Sequence, residues 1–146
     1  MAELLFMQDQ SGLVSFVIFI MLCCCLLWLR PFLSGWRKLA KKYQSSQQPY
    51  GKAFHWQSGY IGLMAYNREI NIRLTREGMF VSVVFLHSLG HPTLFIPWTE
   101  IHIGREEWYF WRYTVTIEIG HPPIVTMKLP KKIFDQREVT IKKADS

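Results

Sequence analysis

Residues 12–29, GLVSFVIFIMLCCCLLWL, are 18 consecutive residues without a charged side chain. As an α-helix rising about 1.5 Å per residue, this run is about 27 Å long, close to the thickness of the hydrocarbon core of a bilayer. A buried helix of a soluble protein would show a polar face, and here only Ser15 interrupts the run. A secretory signal peptide would have basic residues before the run and a small-residue cleavage motif after it, and the sequence has neither. We therefore predict a transmembrane anchor over residues 12–33.

The charges beside this run predict its orientation. The segment before it contains no Lys or Arg. Basic residues that flank a membrane span remain in the cytoplasm. We therefore expect residues 1–11 to form a short non-cytoplasmic N-terminus and the rest of the chain to lie in the cytoplasm. The bases that follow the run are Arg30, Arg37, Lys38, Lys41 and Lys42.

The three cysteines of the chain, at positions 23–25, lie inside the apolar run. No small residue precedes Cys23 as a bacterial lipobox requires, and adjacent cysteines on a helix point in three directions, which does not suit a zinc site. S-acylation favours juxtamembrane cysteines, so Cys25, five residues before Arg30, is the candidate acylation site. The interpretation that we favour is apolar filling of the anchor.

A basic segment follows the anchor. In SGWRKLAKKY, residues 34–43, apolar residues recur at i, i+3, i+4 and i+7, which predicts an amphipathic helix. We predict that this helix rests in the membrane interface against anionic headgroups; a solvated helix and a helix packed on the soluble domain are the alternatives. The polar stretch after it, with Pro49 and Gly51, predicts a linker, so residues 34–58 form a juxtamembrane helix and linker. The predicted interface residues are Trp36, Arg37, Lys38, Lys41, Lys42 and Tyr43.

Residues 59–140 show the period-2 alternation of β-strands, with turns at Gly- and Pro-containing sites. The fold class predicted for the chain is therefore a single N-terminal transmembrane α-helix plus a small, mainly β domain, a seven-stranded barrel or sandwich with a short C-terminal helix after Pro130. Residues 141–146 are expected to form a tail. The predicted strands are 60–66, 69–75, 79–87, 93–97, 100–107, 110–119 and 124–129.

Seven strands followed by one helix resemble the pleckstrin-homology (PH) superfold, including its GRAM-type and bacterial relatives. The stretches GHPTLFIPWTEI and SGWRKLAKKY are similar to those of small bacterial single-pass membrane proteins of unknown function. The resemblance implies a PH-like domain and a bacterial inner-membrane location, and it implies no catalytic residue. PH domains that bind phosphoinositides use a basic first loop, whereas the matching stretch here, residues 66–69, has one base beside one acid.

Histidine is the residue type with the most potential for chemistry here. A metal site would draw on His87, His91 and His121, but the sequence contains no metal-binding motif, and we expect turn and surface roles instead. Nucleophile, phosphate-loop and dinucleotide motifs are also absent from the sequence. We therefore predict a protein that is not an enzyme and needs no cofactor.

Two aromatic residues are candidates for binding a partner. Trp98 follows Pro97 and is either a core ring or an exposed anchor, and Tyr109 lies in the aromatic run EEWYFW. The predicted function is a membrane-anchored binding module, with the anionic bilayer and a membrane or cytoplasmic protein as partners. Nucleic acid is not expected, because the bases cluster after the anchor rather than across the β domain. The alternatives are an accessory subunit of a larger membrane complex and, less favoured, a histidine-metal enzyme; homo-oligomerisation stays open.

Overall fold

The computed structural model describes residues 1–84, 90–109 and 111–144. The chain divides into two compact units, Met1–Arg30 and Pro31–Ser146. Helix α1 spans Ala2–Leu33, and its segment Gln10–Leu33 is long and apolar enough to cross a membrane. The large apolar side chains of this segment are exposed and do not pack on the rest of the protein. The prediction of an apolar N-terminal helix is confirmed.

The second unit contains a single antiparallel sheet of seven strands in the described part of the chain, curled into a half-barrel. The strand order is β4-β3-β2-β1-β7-β6-β5, so β4 and β5 are the two edges. This confirms the predicted β domain with a short C-terminal helix. The elements are α2 (Trp36–Tyr43), β1 (Lys52–Ile61), β2 (Met64–Leu74), β3 (Gly78–Val83), β4 (Leu94–Pro97), a 3-10 turn (Trp98–Glu100), β5 (Ile101–Tyr109), β6 (Arg112–Ile119), β7 (Val125–Pro130) and α3 (Lys131–Ala144).

One hydrophobic core fills the concave side of the sheet, and both helices of the second unit contribute to it. Ile133 and Phe134 of α3 are buried there. Strand β3 is buried on both faces, which agrees with its continuous apolar sequence, because Phe80 contacts the rings of Phe95 and Tyr50. The burial of apolar surface at these many positions is the main contribution to the stability of such a fold.

Helix α2 forms where the sequence predicts it, but its apolar face is not at a membrane surface. Trp36 and Leu39 are fully buried and Tyr43 is 6% exposed, all within the core of the β domain. The Trp36 indole N–H donates to the carbonyl oxygen of Pro92 at 2.9 Å, and its ring meets His91 edge-on. The prediction that Trp36 and Tyr43 contact the membrane interface is therefore wrong, and the alternative of a helix packed on the domain is correct.

The first predicted strand, residues 60–66, is also wrong. A turn at Gly62 and Leu63 divides that stretch between β1 and β2, and β1 occupies residues that the sequence assigned to the linker. The alternation in β1 is obscured because β1 contains an extra residue between Phe54 and Gln57, where its register with β2 shifts. An extra residue in a strand reverses the side-chain alternation beyond it.

The domain is therefore larger than the predicted range 59–140. It takes in α2 and β1 at its start, and α3 continues to Ala144, into the predicted tail. The end of the predicted strand 79–87 falls on residues outside the described part of the chain. Gly35, with φ of 72°, separates α1 from α2, and a Cβ there would lie 2.6 Å from Val125 Cγ2. The junction therefore requires glycine, for its backbone conformation and for its close approach to β7.

Candidate binding surfaces

The hairpin between β5 and β6 carries an exposed aromatic patch, which we call the aromatic hairpin and define as Trp108, Trp111 and Tyr113. These side chains are 59%, 87% and 59% exposed. Trp108 lies directly opposite Tyr113 in the register, and their rings meet edge-on at 4.7 Å. Tyr113 lies on the same side of β6 as Val115 and Ile117, which are buried. Strand β6 therefore extends beyond the core at this end, and its core-facing side is exposed to solvent there.

Trp111 lies between β5 and β6 in a left-handed conformation, with φ of 61°. Hairpin connections favour Gly, Asn or Asp at left-handed positions because a larger L-residue costs about 1–2 kcal/mol there. A tryptophan that is both left-handed and almost fully exposed contributes little to the stability of the fold. Backbone strain of this kind recurs at binding sites.

Tyr109, a predicted partner-binding residue, lies beside this patch on the opposite face of the hairpin. Its hydroxyl is 3.1 Å from the hydroxyl of Tyr60, and the two rings meet edge-on at 5.4 Å. The hydrogen bond with Tyr109 is the main cause that raises the pKa of Tyr60. Lys128 lies over the Tyr109 ring and donates to Glu107 at 3.0 Å, so this face of the hairpin is held against β1 and β7.

Trp98, the other predicted partner-binding residue, is tied into the domain. Its indole N–H donates to the carbonyl oxygen of Thr75 at 3.1 Å, and the ring packs against the core. Arg137, on α3, places its guanidinium 4.3 Å from the centroid of the Trp98 ring. Of the two roles that the sequence left open for Trp98, the structure favours the core ring, which links the turn before β5 to the C-terminal helix.

The basic face of α2 is exposed, as predicted. Arg37, Lys38, Lys41 and Lys42 all lie on the surface. Lys42 is already paired, because its ammonium donates to Glu100 Oε2 at 3.1 Å. Three bases therefore remain available to anionic headgroups, although Arg37 also covers the ring of Phe32 at 4.3 Å.

Glu100 joins α2 to the turn before β5. It accepts a second hydrogen bond, from the Tyr43 hydroxyl at 2.9 Å. The hydrogen bond from Lys42, followed by that from Tyr43, lowers the pKa of Glu100 below its ordinary value, and the same contact with Glu100 raises the pKa of Lys42. The side chains are substantially exposed, so the main effect of this cluster is to fix the orientation of α2.

The end of the domain next to Pro31 presents apolar side chains to solvent. Leu63, in the turn between β1 and β2, is 85% exposed. It lines a shallow groove together with Phe32, Leu33, Lys38 and Pro123, and we call this end of the domain the tethered end. An exposed leucine beside aromatic, apolar and basic side chains has the composition of a surface that contacts a lipid headgroup layer.

The histidines do not assemble the predicted metal site. His91 is buried and shares a hydrogen bond of 2.9 Å with the Tyr66 hydroxyl, whereas His121 pairs with His102, Nδ1 to Nε2 at 2.9 Å. His87 lies outside the described residues. Among the residues that the structure describes, no group of three metal-ligating side chains is present. The structure therefore separates His91 from His121 and assigns His91 to core packing.

The cysteines lie on α1 with free thiols, Cys23 partly covered and Cys24 and Cys25 exposed. Their exposure along a helix with exposed apolar neighbours agrees with the favoured interpretation of apolar filling, and S-acylation of Cys25 stays a prediction. Comparisons with protein-family models, curated proteins and solved structures found no match for this chain. No matched relative therefore supports the PH-like resemblance.

Sequence reasoning missed the three residues of the aromatic hairpin, although it singled out the run EEWYFW that contains two of them. The alternating pattern of β6 places Tyr113 on the same side as the core residues, which suggests burial. Its exposure depends on β5 being an edge strand and on how far the neighbouring elements extend, which the pattern does not encode. The signal within reach of the sequence was the tryptophan at a hairpin connection, where glycine or asparagine is usual.

Proposed function

We propose that this chain is a single-pass membrane protein that displays its β domain in the cytoplasm as a binding module without catalytic activity. The uncharged run of α1 supports the membrane span, and the bases after it support the cytoplasmic location of the domain. The exposed aromatic hairpin carries the proposal, because it combines exposed large aromatic side chains with a strained tryptophan for which the fold has no structural need.

The tethered end is the surface that meets the bilayer in this proposal. Leu63 supplies an apolar side chain that inserts at the headgroup level, and the exposed bases of α2 supply the attraction to anionic lipid. Each base near such a surface contributes about 1 kcal/mol. The role predicted for Arg37, Lys38 and Lys41 is thereby kept, whereas the aromatic side of α2 belongs to the core.

The aromatic hairpin is the surface that meets a protein partner. Its turn and the turn at Gly120–Ile124 close opposite ends of β6, and the second of these turns borders the tethered end. Tryptophan and tyrosine are among the residues that carry most binding energy in protein interfaces, and the aromatic hairpin consists of these two types.

Site-specific photo-crosslinking in intact membranes tests both surfaces. A probe at Trp111 is expected to capture a protein, and a probe at Leu63 is expected to capture lipid. A probe at Glu118 is the control, because this exposed residue lies on β6 away from the hairpin. Capture of one protein in near-equal amount from Trp111 favours the accessory-subunit alternative and identifies the complex. Lipid alone from Trp111, or the same proteins from Trp111 and Glu118, contradicts the partner surface.

Membrane topology needs a separate experiment. A tag after Ser146 should resist protease added to intact cells and become sensitive once the membrane is opened. Mass measurement of the membrane-embedded chain should show that the residues of the apolar run are retained. A chain shortened after this run would identify a signal peptide, and digestion of the tag in intact cells would reverse the orientation.

A further inference from the structure

A cavity of about 350 Å³ lies between the β5–β6 hairpin and the side of the sheet that faces away from the core. Ligand pockets for small molecules begin at about 300 Å³ and combine apolar walls with a few polar groups. The walls here include the rings of Tyr60 and Tyr109, with Ala65 and Pro130. The polar groups that line the cavity are Ser58, Asn67, Arg112, Thr114 and Lys128.

The cavity coincides with the place where the pairing of the sheet is interrupted. The β1–β2 register passes from Gln57 opposite Ile70 to Gly59 opposite Tyr66, so that residues 67–69 bulge opposite the single residue Ser58. On its other side, β1 pairs with β7 through only two described residue pairs, which begin at Tyr60 and Lys128. Bulges of this kind are common next to binding sites because they redirect side chains and open the ladder.

Backbone strain surrounds the same place. Within the described residues, three residues other than glycine have positive φ: Trp56 at 56°, Arg68 at 54° and Trp111 at 61°. Arg68 lies within the bulge itself, and Trp56 lies within the neighbouring register shift of the β1–β2 ladder. Trp111 adjoins Arg112, which lines the cavity. Left-handed conformations are sparsely populated by residues other than glycine, and they cluster at binding sites, where the surrounding structure enforces them.

The charges at the cavity favour an anion. Lys128 is neutralised by Glu107, at 3.0 Å, whereas Arg112 is exposed and has no acidic partner among the described residues. Its guanidinium presents a planar fork of donors that matches a carboxylate or a phosphate. The Asn67 amide and the Ser58 and Tyr60 hydroxyls line the same walls and are hydrogen-bonding groups suited to the remaining oxygens.

We propose that this cavity binds a small molecule with a carboxylate or phosphate group, which pairs with Arg112 while an apolar part of the molecule lies against the rings of Tyr60 and Tyr109. The residues that line the cavity include none of the three residues of the aromatic hairpin and none of the residues that line the groove at the tethered end. It does not depend on the orientation of the chain in the membrane or on the identity of a protein partner. It gives the domain a ligand-sensing function beyond that of a binding module.

Ligand-observed NMR with the full chain in zwitterionic nanodiscs tests this site, with phenyl phosphate and benzoate as probes and benzyl alcohol as the uncharged control. The wild type is expected to bind at least one of the two anionic probes saturably. Arg112→Gln should weaken that binding about tenfold, as expected for loss of one charge-assisted pair. Arg105→Gln is the matched control, because Arg105 is an exposed base on β5 that does not line the cavity, and it should leave the affinity unchanged.

Tyr60→Phe provides a second variant, which keeps the ring and removes a hydroxyl, and it should also weaken binding. Equal affinity in the wild type and Arg112→Gln, equal losses in Arg112→Gln and Arg105→Gln, or no saturable binding of either anion would overturn the proposal. Nanodiscs that contain anionic lipid distinguish the sources of the ligand. If this lipid competes with the probe, a lipid headgroup is the occupant. If it does not compete, the occupant is a soluble anion, and both outcomes agree with the site.

Discussion

Replacing Trp36 with alanine tests whether the amphipathic helix α2 belongs to the core or to the membrane interface. The indole is fully buried, contacts His91 edge-on and donates a hydrogen bond to the Pro92 carbonyl. A tryptophan at a membrane surface would have none of these intradomain contacts. The substitution therefore affects the folding of the β domain only if α2 packs as the structure describes.

The expected loss of stability follows from burial. Truncation of a buried tryptophan to alanine costs about 3–5 kcal/mol, because apolar contacts are lost and a cavity remains. The hydrogen bond to Pro92 accounts for about 1 kcal/mol of this amount. Trp36→Phe keeps most of the ring and loses the hydrogen bond, so it should cost about 1–2 kcal/mol. The free energy of unfolding of a domain of this size is about 5–15 kcal/mol, so Trp36→Ala removes a large share of the stability.

Pulse proteolysis across a urea series, with the full chain in detergent micelles, measures unfolding of the β domain without interference from α1. A loss of 4 kcal/mol lowers the urea midpoint by about 2 M. Trp111→Ala is the matched control, because that tryptophan is 87% exposed. It should change stability by less than about 0.5 kcal/mol. Equal midpoints for the two alanine variants would refute the burial of Trp36 and return it to the membrane interface.

Three further predictions concern α2 and the anchor. Glu100→Gln should destabilise the domain at neutral pH, because the pKa of Glu100 in the folded state lies below the ordinary value of 4.5. The loss of stability relative to the wild type should be complete above pH 4.5 and should disappear as the pH falls through the folded pKa. Urea midpoints measured across this pH range test the prediction. Gly35→Ala should lower the stability of the domain by at least about 1–2 kcal/mol, because the backbone at this position is left-handed and the new methyl group would clash with Val125. Gly12→Ala is the control: its methyl group meets no neighbour within 4 Å, and it should leave thermal unfolding unchanged. Replacing cysteines 23–25 with alanine should leave membrane insertion unchanged, and a thioester-exchange assay on the wild type should show no acyl group; a mass shift there would instead support S-acylation.

The apolar helix and the number of strands were predictable because each depends on local chemistry. An uncharged run of 18 residues predicts a long apolar helix, and alternation over five or more residues predicts a strand wherever it lies in a sheet. The strands β3 and β6, and the helix after Pro130, appear close to their predicted positions for this reason. Strand β1 was missed because the extra residue between Phe54 and Gln57 breaks the alternation that reveals the other strands.

The location of the apolar face of α2 could not be read from its pattern. Lipid and a protein core are equally apolar, so the spacing of Trp36, Leu39 and Tyr43 fits both, and nearby bases favoured lipid. Only the folded sheet shows that its open side needs these three side chains to complete the core. The metal site failed for a related reason, because turns with similar sequences at His91 and His121 lie in different environments.

The sequence by itself determined that this chain has one apolar helix, a basic segment after it and a β domain, since hydrophobicity and alternation act over a few residues. Tertiary structure decided which aromatic side chains are buried and which are exposed, because exposure depends on the strand order that leaves β5 at an edge. It also decided the position of the cavity beside Arg112, which arises from interrupted pairing between strands that are distant in sequence. Contacts between distant segments create these surfaces, and no local pattern contains them.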